Sequence, residues 1–153
     1  MTSLLPVMLG AYLLAKEAGR PVQLMLDREG ENLAAGHRNA TVQHVRLGAK
    51  RDGTLTAIQA DIKIAVGAYQ VGGEASEVSG MYQRLYRCPN VRTAQIGVYV
   101  NTGPCVAFRA PGHVEGAFAL EAAMDELARA LHMDPLALRL ARQAGMSLAA
   151  LST

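Results

Sequence analysis

The residues best placed to do chemistry fall in one run, Asn101 to Glu115. It holds a cysteine, an arginine, a histidine and a turn rich in Gly and Pro, ahead of a helix start. A helix N-terminus leaves backbone N–H groups without partners and carries a partial positive charge. Arg109 and the tight Ala110-Pro111-Gly112 turn, set just before such an end, make a cradle for an anion or a cofactor. An ordinary strand-to-helix connection with a solvated arginine accounts for the same residues. Type and spacing alone leave both readings open.

The other candidates carry less. His37-Arg38 can reach a phosphate or serve as a turn-capping surface pair. His113 lines the site or faces solvent from the first helical turn. Glu115 complements the helix dipole. Glu121, Asp125 and Arg129 lie four apart and read as a solvated face with an acid-first pair, not a catalytic carboxylate dyad. Cys88 and Cys105 lack CxxC spacing, and with four scattered histidines they give no zinc pattern, so they read as buried thiols.

Composition bounds the rest. The 153 residues are 50% hydrophobic and 18% charged, which suits a globular domain with a core. A net charge of +2, no Lys/Arg run and no tryptophan argue against nucleic acid. The apolar run Leu4 to Ala15 is too short to span a bilayer and lacks a basic n-region.

The elements that must hold the Arg109 loop can be read in order. Residues 5–18 form a helix, with Pro6 in its first turn and Gly19 just past its end. Apolar residues surround it almost completely, so burial on several sides is expected. Pro21 to Asp27 reads as a buried strand. Residues 28–32 begin a short helix or loop, and Gly36 to Asn39 look like a turn. A hairpin follows over 42–66, turning at Asp52-Gly53, with Ile58, Ala60, Ile62, Ile64 and Val66 on one face. A helical turn is expected around 77–86. The strand at 91–101 carries Ala94, Ile96, Val98 and Val100 on one face. The long helix, 113–131, has a core stripe of Ala117, Leu120, Met124, Leu127 and Leu131. Asp134-Pro135 caps a last helix that fades by Gly145. The fold class is α+β: a small mixed or antiparallel sheet with helices packed on one face.

Taken together, the pieces resemble the large molybdopterin-binding subunit of the molybdenum hydroxylases, the xanthine dehydrogenase and aldehyde oxidase family. The pieces are Gly19-Arg-Pro-Val22, Asp27-Arg-Glu29, His37-Arg38, Asp52-Gly-Thr-Leu55, Gly67-Ala-Tyr69, Tyr86-Arg-Cys-Pro-Asn-Val91, Ala107-Phe-Arg-Ala-Pro-Gly112, Glu121-Ala-Ala-Met-Asp-Glu-Leu-Ala128 and Asp134-Pro135 with Arg139. Their order and spacing over about residues 5–142 carry the resemblance, and the Arg-Ala-Pro-Gly form is most similar to the bacterial aldehyde-oxidising branch. The resemblance implies a domain spanning 1–153 that is a partial molybdopterin-binding domain with a tail at 143–153.

It also implies chemistry: insertion of a water-derived oxygen into an aldehyde or N-heterocycle, at a molybdenum held by molybdopterin in its cytosine dinucleotide form. Electrons then leave to Fe–S and FAD groups on partner subunits. Carried over residue by residue, Arg109, Ala110 and Gly112 match the cofactor-side loop. Phe108, Pro111 and His113 fall on the substrate side. Purine-oxidising relatives carry a stacking aromatic where Pro111 stands, so the resemblance favours small substrates. No metal ligand is carried over. The family's glycine-rich cofactor loop and its general-base glutamate match nothing in these 153 residues, so the chain is expected to be a central fragment, inactive alone. A subunit of a split-gene complex and a non-catalytic scaffold module are the alternatives. A cytoplasmic location is expected, with the periplasm as the alternative.

Overall fold

The hairpin is where the fold starts. In this computed structural model, which describes residues 5–31, 36–69, 76–107 and 109–143, β1 (Thr41–Ala49) and β2 (Leu55–Gly67) pair antiparallel from Thr41↔Ile64 to Leu47↔Ile58, with a register shift at Gly48/Ala49. Gly53 turns the chain at φ +81°, and a Cβ there would sit 2.7 Å from Leu138 Cδ1, so the turn needs glycine twice over. Asp52 Oδ1 accepts from the Thr54 N–H at 2.9 Å.

β3 (Val91–Tyr99) adds on the other side of β2, giving the order β1-β2-β3. The Ile58 N–H donates to the Asn90 carbonyl, and the Val100 N–H donates to the Gly67 carbonyl. Both ends of the pair thus advance together, so β3 runs parallel to β2 and the sheet is mixed. A parallel pair needs a crossover, and α3 (Ser76–Arg84) lies within it.

The chain divides into two contact units. The larger comprises Thr41–Ile64, Ala75–Gly97 and Ala110–Thr153. In it α4 (His113–Ala130) packs on α3, on β1 and on α5 (Pro135–Gln143), over a core of Ile58, Ala60, Ile62, Ile64, Tyr82, Leu120, Met124 and Leu138. The buried α4 stripe is Gly116, Leu120, Met124 and Ala128, a strict i+4 ridge. The expected Ala117, Leu127 and Leu131 are only half-buried beside it. Gly116 explains the rotation: a Cβ there would lie 2.8 Å from the Val78 carbonyl, so α3 approaches α4 at its glycine.

The apolar face expected on the third strand lies outward, with Ile96 61% exposed. The opposite face meets polar residues of α3: Gln95 Oε1 accepts from the Ser79 N–H, and Gln83 Nε2 donates to Thr93 Oγ1. Hydrogen bonding, not apolar content, chose the inner face.

The solvated face expected for Glu121 and Asp125 also needs correction. Tyr86 Oη donates to Glu121 Oε1 at 2.6 Å. Arg139 reaches both carboxylates, with Nε at 2.5 Å from Glu121 Oε2 and Nη1 at 2.7 Å from Asp125 Oδ1. Its Nη2 donates to the Glu121 carbonyl. Sequence spacing paired Asp125 with Arg129 on one helix, whereas the docking of α5 brings Arg139 to it instead. Asp134 caps α5 through Oδ1 and the Ala137 N–H at 2.7 Å, as its Asp-Pro signature requires.

The smaller unit comprises Met1–Ala40, Ala65–Glu74 and Val98–Arg109. Here α1 (Leu5–Ala18) ends at Gly19, φ +61°. Its expected burial is not found: Met8, Leu9, Tyr12, Leu13 and Leu14 are about half exposed or more. Residues 21–27 form no strand, and Met25 is 81% exposed. A strand needs a neighbour for its backbone N–H and C=O groups, and none pairs with this run among the described residues. α2 (Arg28–Gly30) follows, capped by Asp27 Oδ1 on the Gly30 N–H.

Gly36 to Asn39 is not a turn. His37 makes a parallel bridge with Cys105, and its carbonyl accepts from the Val106 N–H at 3.0 Å. The segment is held as a ladder because the backbone at 104–106 supplies partners. Of the two free thiols, Cys105 is buried and Cys88 only half-buried, and burial pushes the Cys105 thiol pKa up. Dithionitrobenzoate titration at pH 8 is therefore expected to label Cys88 first and Cys105 only after denaturant is added. Equal labelling rates in the native chain would contradict that burial. No helix of the described residues is long and apolar enough to cross a membrane.

Candidate functional site

The loop before α4 is built from unusual backbone. Ala110 has φ +53° although it carries a Cβ, and Gly112, the N-cap of α4, has φ +75°. A non-glycine residue in that region costs on the order of 1–3 kcal/mol and persists only where surroundings fix it, often at functional sites. The His113 N–H donates to the Ala110 carbonyl at 3.2 Å, and the Gly116 N–H to the Gly112 carbonyl at 2.9 Å. The exposed His113 ring has Nδ1 3.1 Å from the Pro111 carbonyl, a contact in which Nδ1–H donates. In the smaller unit, Arg109 is exposed, and its carbonyl accepts from Arg38 Nη2 at 2.5 Å. Phe108 lies outside the described residues.

Of the expected site residues, Ala110, Pro111, Gly112 and His113 thus share one turn of the larger unit, and Arg109 belongs to the smaller one. Cys105 and His37 are tied into the bridge described above. Among the described residues no three His, Cys, Asp or Glu side chains gather as a metal site.

The structure adds residues that sequence reasoning missed. A groove of about 420 Å³ runs beside the first turns of α4, lined by Thr41, Gln43, Val114, Glu115, Phe118 and Ala119. Phe118 is 79% exposed at its edge. Gln43 spends its carboxamide fully: Oε1 accepts from Tyr82 Oη at 2.6 Å, and Nε2 donates to Thr41 Oγ1 and to the Glu115 carbonyl, each at 2.9 Å. Tyr82 is fully buried, and burial pushes its hydroxyl up to about 12, so it remains a donor throughout the neutral range. The signal was available: Gln43 occupies an inward register position of β1, in phase with Val45 and Leu47, where a polar residue calls for a partner.

The farther network has its own electrostatics. Burial pushes the Tyr86 hydroxyl up, and its bond to Glu121 pushes it further. For Arg139, burial works against the charge, but the hydrogen bonds and charges of Glu121 and Asp125 outweigh it and its pKa is raised. Tyr86 and Arg139 keep their protons near neutrality, and the network braces α4 against α5.

In the larger unit the start of α4 carries the partial positive charge of a helix N-terminus. Gly112 caps α4 without a side-chain hydrogen bond.

The comparisons with known proteins identify a family. The family model described as "Molybdopterin cofactor-binding domain" matches residues 2–142. The nicotinate dehydrogenase large molybdopterin subunit of Eubacterium barkeri is 33% identical over 141 residues, covering 90% of this chain and 33% of that one. The aldehyde oxidoreductase of Megalodesulfovibrio gigas is 35% identical over 127 residues, covering 82% and 14%. Among solved structures, the Desulfovibrio gigas aldehyde oxidoreductase superposes with a TM-score of 0.71 at 34% identity, over 84% of this chain and 14% of that one. The chain therefore spans a third or less of the length of these relatives.

Proposed function

Because the chain belongs to the molybdopterin cofactor-binding domain family, we propose that it is part of the molybdopterin-binding subunit of an aldehyde-oxidising molybdenum hydroxylase. The single observation that carries this is the family match over residues 2–142 with the Arg109-Ala-Pro-Gly112 turn inside it. Residues 1–153 are then one partial molybdopterin-binding domain, with 143–153 as its tail. When bound, the molybdenum cofactor, in its cytosine dinucleotide form, supplies oxidation of the substrate carbon with a water-derived oxygen.

This chain's residues bind and orient. By the family resemblance Arg109, Ala110 and Gly112 are the residues of the anionic cofactor side. Phe108, Pro111 and His113 border the substrate. Pro111 offers no aromatic face, which favours small aldehydes over purines. The electrons pass to iron–sulfur and flavin groups on partner subunits. A glutamate base is expected from polypeptide beyond these residues, so the chain alone is inactive.

A second reading, one subunit of a split-gene complex, draws on the exposed apolar residues of α1. A helix that apolar is expected to be covered, and a partner chain would cover it.

The test is metal content with turnover. Expressed in a host that makes the cofactor, the purified 153-residue chain is expected to carry far less than one molybdenum by plasma mass spectrometry, and to give no aldehyde-dependent dye reduction. Stoichiometric molybdenum with turnover by the chain alone would overturn the incompleteness. Adding iron–sulfur and flavin subunits together with the remaining molybdopterin-subunit polypeptide is expected to restore aldehyde oxidation, with purines turned over far more slowly. Equal purine oxidation would overturn the substrate assignment.

A further inference from the structure

Gln43 stands at a junction that neither the family match nor the loop residues assign. Three elements of the larger unit meet at its carboxamide. From α3, the fully buried Tyr82 donates to Oε1 at 2.6 Å. From α4, the Glu115 carbonyl accepts from Nε2 at 2.9 Å, and from β1 itself Thr41 Oγ1 accepts at the same distance. An amide presents one acceptor side and one donor side. The buried phenol takes the acceptor side, and this forces the donors toward α4. The Glu115 carbonyl belongs to the first turn of that helix, two residues after His113 and three after Gly112. On its other flank the same turn lies against α3 at Gly116, where a Cβ would be 2.8 Å from the Val78 carbonyl.

We propose that Gln43 is a positioning residue for the Ala110–His113 turn: Tyr82 sets the orientation of its carboxamide, and its Nε2 fixes the first turn of α4 against β1. The inference rests on the cofactor reading for its purpose but not for its geometry. Gly112 caps α4 without a side-chain hydrogen bond. The bond from Gln43 to the Glu115 carbonyl ties this helix end to β1 at the edge of the groove.

The test needs no cofactor. Amide hydrogen exchange, read residue by residue by NMR, is compared for the wild-type chain, Gln43→Glu, Gln43→Ala and Tyr82→Phe. Gln43→Glu keeps the acceptor for Tyr82 but loses both donors at neutral pH and sets a carboxylate against the Glu115 carbonyl. Exchange at residues 116–119 is expected to rise about tenfold or more, the factor that corresponds to roughly 1.4 kcal/mol of lost local protection, while residues 124–130 stay protected. Tyr82 from α3 and Glu115 from α4 are the titratable groups facing position 43. The Tyr82 hydroxyl, which donates to this position, favours the ionised form of the introduced carboxyl and keeps it a carboxylate at neutral pH.

As pH falls and the introduced carboxyl takes up a proton, it regains one O–H donor. Protection of the first turn is then expected to return in Gln43→Glu but not in Gln43→Ala. A merely space-filling role for residue 43 would give the two variants the same pH profile. Tyr82→Phe frees the carboxamide to rotate and is expected to give an intermediate loss. Unchanged exchange at 116–119 in Gln43→Glu, or the same pH profile in both Gln43 variants, overturns the proposal. Loss of protection along all of α4 overturns it too, because the effect would then be unfolding. Failure of the cofactor reading is seen separately, as absent molybdenum and turnover in the assembled enzyme with first-turn protection intact.

Discussion

Gly67→Ala is expected to be the most damaging single-methyl change in the smaller unit. Gly67 ends β2 at φ +86°, where an L side chain is strained, and its Cβ would press on backbone: 2.8 Å from Pro104 Cα and closer still to the Gly103 carbonyl oxygen. Neither obstacle is a flexible side-chain tip. The same backbone also makes the local ladder, with the Cys105 N–H donating to the Val66 carbonyl and the Val100 N–H to the Gly67 carbonyl, so relief of the clash breaks pairing. Dihedral strain of about 1–3 kcal/mol and overpacking of about 1–3 kcal/mol together suggest a loss near 4 kcal/mol. Gly19→Ala is the control: its φ is +61°, but nothing lies within 4 Å of the added methyl, so only the dihedral cost applies. Urea unfolding of the two variants should separate them by about 2 kcal/mol or more. Equal losses would mean that the approach of residues 103–104 to Gly67 is looser than the structure has it.

Arg139→Ala is expected to be nearly as costly in the larger unit. It removes the bonds to Glu121 and Asp125 together and leaves the Tyr86 hydroxyl against a carboxylate without its counter-charge. The site is partly open, with the Arg139 side chain 23% exposed and Glu121 35%. The loss should therefore fall below that of a fully buried pair, at about 2–3 kcal/mol. For a chain of this size that lowers the melting temperature by roughly 4–12 °C. Arg139→Lys is expected to recover little, because one ammonium cannot hold two carboxylates and the Glu121 carbonyl at once. A double-mutant cycle with Glu121→Ala isolates the pair, and a coupling energy near zero would show that the network adds nothing to helix docking.

The sequence by itself was enough for the local elements and for the family. The alternation at 55–66, the Asp52-Gly53 turn, the Asp134-Pro135 cap and Gly19 after α1 each act within a few residues. Backbone sterics and capping decide them before any packing occurs. The Arg109-Ala-Pro-Gly112 motif, in its spacing from Tyr86 and Glu121, carried the family for the same reason: it is a linear signal.

Which face turns inward, and which polar groups find partners, was settled only in three dimensions. Residues 21–27 have the composition of a strand but no neighbour to pair with. β3 turned its polar side inward because α3 offers Ser79 and Gln83 there. α4 rotated onto Gly116 because a backbone can approach only where no Cβ stands. Arg139 reached Asp125 across a helix interface that spacing within one helix cannot show. Gln43 was the plainest case: its inward register could be read from the alternation, but its role depends on Tyr82 and Glu115. Those residues are 39 and 72 positions away, and only the packing of α3 and α4 brings them to one amide.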